Sequence, residues 1–131
     1  MLFPIGIFIL TVIFMILYYP LMRSEKRIRN DILKYTPIGL SMVEVLSVIE
    51  NKNNWILEKI NEDRGYINYD VTIPNTNPNT PHDSVPFVVG EKSIRVYLGK
   101  SWTFGHCVQA SWGFDKDGKL IDVYVRKTLA I

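Results

Sequence analysis

Cysteine and histidine are scarce in this chain. Of 131 residues, one is cysteine, Cys107, and two are histidine, His82 and His106. A lone cysteine cannot close a disulfide within the chain, so the fold does not rely on an oxidising compartment. The three residues also lack the ligand spacing of a zinc site. No phosphate-cradling glycine loop, serine elbow or paired-carboxylate motif occurs. These absences leave no recognisable catalytic, cofactor-binding or metal-binding set, and neither an enzyme nor a cofactor or small-molecule substrate is expected. Charge is missing as well: no Asp, Glu, Lys or Arg lies between Leu2 and Met22.

A spanning helix needs roughly 20 mostly apolar residues at about 1.5 Å each, and Leu2 to Met22 meets that length. A cleavable signal has a basic start, a core of roughly 7–15 residues and small residues before the cut. Here the run is longer, nothing basic precedes it, and it ends on the bulky Tyr18-Tyr19-Pro20-Leu21-Met22. The two tyrosines suit the headgroup level. The reading is an uncleaved transmembrane anchor over residues 1–22, with the lipid bilayer as one partner. Arg23, Lys26, Arg27, Arg29 and Lys34 follow, against Glu25 and Asp31. This predicts a basic juxtamembrane connector over 23–36 that touches anionic headgroups. Lys and Arg concentrated just after the span place the remainder on the cytoplasmic side of a single-pass cell-membrane protein. From Tyr35 onward ten basic residues face eleven acidic ones, so the folded part lacks the basic stripe of a nucleic-acid binder.

Residues 37–131 read as one small α+β domain. Ser41 can cap a helix, with Glu44 three residues on and Leu40 and Val45 placed as a hydrophobic staple. Met42, Val45, Leu46 and Ile49 then recur with helical spacing, giving one apolar face. The stretch 53–65 suits either a helix ending near Gly65 or a strand. Ile73 to Pro86 holds four prolines, which predicts a Pro/Asn/Thr-rich loop at 74–86. Three alternating runs follow: Ile94, Val96 and Leu98; Val108, Ala110, Trp112 and Phe114; Ile121, Val123 and Val125. Period two with one apolar face predicts an antiparallel meander, with the 41–50 helix as its cover. Gly118 can take the positive φ of the hairpin loop in "FDKDGK".

Asp115-Lys116-Asp117-Gly118 looks at first like a calcium loop, but its twelfth position is Arg126 rather than glutamate. His106 and Cys107 are adjacent on a strand, so their side chains point to opposite faces and cannot form a base–thiol pair. A hydrolase reading would have to rest on Cys107 or on His82 in the loop. The second face of the meander is more informative. It carries Arg95, Tyr97, Gln109, Ser111, Asp122, Tyr124 and Arg126. Tyrosine and arginine are enriched at binding hot spots. Arg95, Tyr97, Gln109, Tyr124 and Arg126 are therefore the candidate protein-binding residues.

The helix start Gly39-Leu40-Ser41-Met42-Val43-Glu44-Val45, followed by the meander that ends "FDKDGKLIDVYV" (Phe114 to Val125), resembles the small α+β domain of the outer-membrane lipoprotein A family and the beta-lactamase inhibitor protein fold. It is similar, too, to small immunity proteins encoded beside bacterial polymorphic toxins. The similarity spans residues 37–127 and implies protein binding rather than catalysis. The expectation is a membrane-anchored protein-binding module, an immunity protein that neutralises a toxin. The alternative is an envelope assembly or scaffolding factor that binds a resident membrane complex.

Overall fold

Ser24 and Ser41 each open a helix, and the sheet follows them in the chain. The computed structural model describes residues 3–18, 21, 23–71, 73–74, 76, 78, 84–100 and 106–129. Helix α1 covers Phe3–Tyr18, α2 Glu25–Tyr35 and α3 Met42–Glu50. Four strands, β1 (Ile56–Asn61), β6 (Lys92–Lys100), β7 (His106–Phe114) and β8 (Leu120–Leu129), form one antiparallel sheet in the order β1-β6-β7-β8. Two short pairs flank it: β2 (Tyr66–Ile67) with β5 (Val88–Val89), and β3 (Ile73–Pro74) with β4 (Ser84–Val85). The molecule is thus α+β, and the ambiguous 53–65 stretch contains a strand. The pair β3–β4 sits at the two ends of the expected 74–86 loop. Most of that loop, His82 included, lies outside the described residues.

α1 covers part of the expected span, of which residues 1–2, 19–20 and 22 lie outside the described residues. Its 16 residues rise about 24 Å, short of a hydrocarbon core about 30 Å thick. Among the described residues no helix is long and apolar enough to cross a membrane. α1 carries no charged side chain, the Thr11 hydroxyl donates to the Ile7 carbonyl at 2.8 Å, and Ile5, Ile7, Phe8, Ile9 and Leu10 are each more than half exposed.

The stretch expected to be a connector is a packed helix. Ser24 caps α2 by accepting from the Arg27 amide at 3.3 Å, and its apolar spacing turns Ile28 and Ile32 inward. Both are buried in the same cluster as the sheet. Arg29 Nε donates to the Val123 carbonyl at 2.7 Å, and its guanidinium pairs with Asp122. Lys127 Nζ donates to the Arg23 carbonyl at 2.6 Å, while Arg23 pairs with Asp31 at 2.8 Å. Lys34 Nζ also lies 3.8 Å from Asp31, so three of the five cations expected at the headgroups pair with carboxylates of the protein. The edge strand β8 is covered by α2, and β1 is the opposite edge.

α3 begins as its sequence predicts, with Ser41 Oγ accepting from the Glu44 amide at 3.2 Å. Val45 and Ile49 are buried, so α2 and α3 share the cover of the sheet. The register stacks Ile94, Trp112 and Val123 in one row and Val96, Ala110 and Val125 in the next. One expected core residue is displaced. A bulge opposite Gly113 and Phe114 pairs Phe114 with Leu120 and Gly113 with Asp122, leaving Ile121 as the extra residue. Leu120 is 1% exposed and Ile121 43%. Thr36 closes α2 from within: it is fully buried, accepts from Trp112 Nε1 at 3.0 Å and donates to the Ile32 carbonyl at 2.9 Å.

Candidate functional site

The polar face of the sheet is built by register. Lys59, Arg95, Ser111 and Tyr124 form one cross-strand row, and Tyr97, Gln109 and Arg126 the next. A third row runs Asn61, Ser93, Gly113 and Asp122. A bulge between Leu57 and Lys59 brings Glu58 to this face as well. Its carboxylate accepts from Gln109 Nε2 at 3.0 Å and lies 3.8 Å from Arg95 Nε.

This face is walled rather than flat. The segment after β1 folds back, and β2 lies against β6 and β7. Gly113 permits this approach, because a Cβ there would stand 2.7 Å from the Tyr66 ring. Tyr66 stacks on Tyr124, with centroids 5.9 Å apart and planes 9° from parallel. Further along, the Arg126 guanidinium sits 3.9 Å above the Tyr69 ring, a cation–π contact. Between wall and sheet lies an open cleft of about 200 Å³. Its lining includes four cations, Lys59, Arg64, Arg95 and Arg126, and no acidic residue.

The expected recognition residues separate on this geometry. Arg95, Gln109, Tyr124 and Arg126 all line the cleft, with Ser111 beside them. Tyr97 lies outside it, with its hydroxyl near the Cys107 thiol; burial, then Cys107, then Glu58 push its ionisation up. Asp122 is engaged by Arg29. Tyr124 is not an exposed side chain: at 8% exposure it is the floor beneath Tyr66. Lys59, Asn61, Arg64, Tyr66 and Tyr69 are lining residues that the sequence reading did not select. Gly113, a glycine inside an otherwise regular strand, was the one local sign that another segment approaches there.

Burial raises the ionisation of both stacked tyrosines. For Tyr66 the Asp122 carboxylate adds to this and Arg29 opposes it. For Tyr124 the Asp70 carboxylate adds and Arg126 opposes. Both phenols thus stay protonated at physiological pH and can donate. Neither buried hydroxyl completes a hydrogen bond of good geometry within the protein, although Asp122 and Asp70 stand nearby.

The Asp115 carboxylate accepts from the amides of Asp117 and Lys119, each at 2.9 Å, so it organises the hairpin turn. Among the described residues no cluster of His, Cys, Asp and Glu could hold a metal ion. No protein-family model, no curated protein and no solved structure matches this chain.

Proposed function

We propose that the protein is a membrane-anchored protein-binding module whose recognition surface is the walled polar face of the sheet, and that it acts as an immunity protein neutralising a toxin. The observation that carries the reading is the cleft itself. It gathers Arg95, Gln109, Tyr124 and Arg126 from three strands around a concave, tyrosine-walled floor. Aromatic and arginine side chains on a rigid sheet are the groups that dominate binding energy at protein interfaces. The resemblance of residues 37–127 to inhibitor and immunity domains favours the same role.

Membrane attachment is supported by α1. Its exposed apolar side chains are more stable in lipid than in water, and the uncharged run of sequence continues on either side of the described helix, from Leu2 to Met22. The basic residues that follow favour a cytoplasmic domain.

The test is co-expression with the product of the adjacent gene. Cells carrying that product are expected to survive with the wild-type protein. They should die with Tyr69→Ala, Gln109→Ala or Arg126→Ala variants present at equal levels and folded. Each truncation of a hot spot should weaken the complex by about 2 kcal/mol, roughly thirtyfold. Protection that survives all three substitutions would place the interface elsewhere. If no neighbouring product is toxic, the immunity role fails.

A further inference from the structure

The cleft has a charge and hydrogen-bond pattern that specifies what it receives. Lys59 and Arg95 are directly opposed on neighbouring strands, a like-charge pairing that disfavours the sheet. Glu58 offsets it only in part, at 3.8 Å from Arg95. Arg64 and Arg126 add two more cations to the same lining, which contains no carboxylate. The residues Tyr66 and Tyr124 line the same space, with their hydroxyls buried beside the Asp122 and Asp70 carboxylates. Four cations converging on one cavity call for an anionic acceptor. At about 200 Å³ the cavity is smaller than the roughly 300–1,000 Å³ of sites for whole drug-sized ligands. It is open to solvent along the sheet, which suits side chains that enter from a larger body.

We infer that the cleft receives acidic side chains of the protein partner, with Asp or Glu carboxylates seated among Arg95, Arg126, Arg64 and Lys59. This rests on the recognition role proposed for the same face. The planar guanidinium groups provide paired donors that match a carboxylate, and Tyr69 holds Arg126 in place from beneath. The partner's docking surface is therefore acidic, and the association weakens as salt screens it.

The full chain in non-ionic detergent micelles can be titrated calorimetrically with hexaglutamate, hexalysine and inorganic phosphate. Hexaglutamate should bind, and hexalysine should not. Raising the salt from about 50 to about 300 mM should weaken binding, as should the double substitution Arg95→Gln/Arg126→Gln, the latter by tenfold or more. The double substitution Arg95→Glu/Arg126→Glu should reverse the preference toward hexalysine. Thermal unfolding of each variant confirms the fold. No binding of hexaglutamate, or binding indifferent to Arg95→Gln/Arg126→Gln, overturns the inference. Phosphate binding as tight as hexaglutamate also overturns it, in favour of a small-anion site. Co-expression separates this inference from the reading it rests on. If Tyr69→Ala and Gln109→Ala abolish protection while Arg95→Gln/Arg126→Gln preserves it, the face is the interface but the partner is not acidic. If neither set affects protection, both readings fall.

Discussion

Thr36 joins three parts of the molecule through one hydroxyl. It ends α2, accepts from the Trp112 indole and donates to the Ile32 carbonyl, all at full burial. Thr36→Val keeps the shape and removes the acceptor, leaving a buried N–H without a partner. The expected cost is about 1–3 kcal/mol. At roughly 4–8 °C per kcal/mol this is visible in a thermal melt. Thr36→Ser should retain most of the stability, and an equal loss in both variants would mean that the methyl packing matters rather than the hydrogen bond. The same scale shows what alternation alone misjudges. Tyr124 has the parity of an outward residue, yet Tyr66 covers it across the gap that Gly113 leaves. A Tyr124→Ala variant consequently removes a buried ring as well as a surface group. Arg126 and Gln109 are the cleaner probes of binding.

At the scale of elements, α2 changes most between sequence and structure. Its charges suggested contact with lipid headgroups, but Ile28 and Ile32 are four apart on one face and complete the core. Ile32→Ala is expected to destabilise the fold by about 2–4 kcal/mol, measured by denaturant unfolding, through lost transfer energy and a residual cavity. The exposed Ile38 provides the control, since Ile38→Ala should change stability by about 0.5 kcal/mol or less. Equal effects would mean that α2 detaches from the sheet. The α3 start and the last hairpin behave as their local chemistry dictates. Ser41 caps, Asp115 organises the turn, and Gly118 takes φ +78°. These motifs are legible because their partners lie within four residues. The turn also docks on the helix start, with the Met42 amide donating to the Gly118 carbonyl at 2.8 Å.

For the molecule as a whole, the proposed arrangement places a neutral folded domain beside the membrane, on the side where the basic residues lie. Alkaline phosphatase fused after Ile131 should then be inactive in cells, and a reporter that works only in the cytoplasm should be active. The opposite pattern would reverse the orientation, because phosphatase requires export to fold. In the proposed arrangement, anchoring would confine the domain to a thin layer and raise its effective concentration toward a membrane-bound partner. α2 is fixed to the sheet by the Arg29–Asp122 ion pair, the Lys127 contact to the Arg23 carbonyl and the buried isoleucines.

The amino-acid sequence by itself determined the α+β class, the capped α3, the three long strands of the meander with most of their inward residues, and the glycine turn between the last two. All of these depend on periodicity or on contacts between near neighbours, which a linear reading contains. Only the tertiary structure decided that 53–65 supplies an edge strand, that α2 belongs to the core, and that Leu120 rather than Ile121 faces inward. The last follows from one bulge, which turns Leu120 to the same face as Val123 and Val125 and leaves Ile121 outside. The cleft likewise needed the fold. Four of its expected residues were visible on the strands, but Lys59 comes from β1, and Arg64, Tyr66 and Tyr69 come from the returning segment between β1 and β3. No period relates them to Arg95 or Arg126. They meet because Gly113 leaves room for a ring, and that contact spans 47 positions of chain between Tyr66 and Gly113.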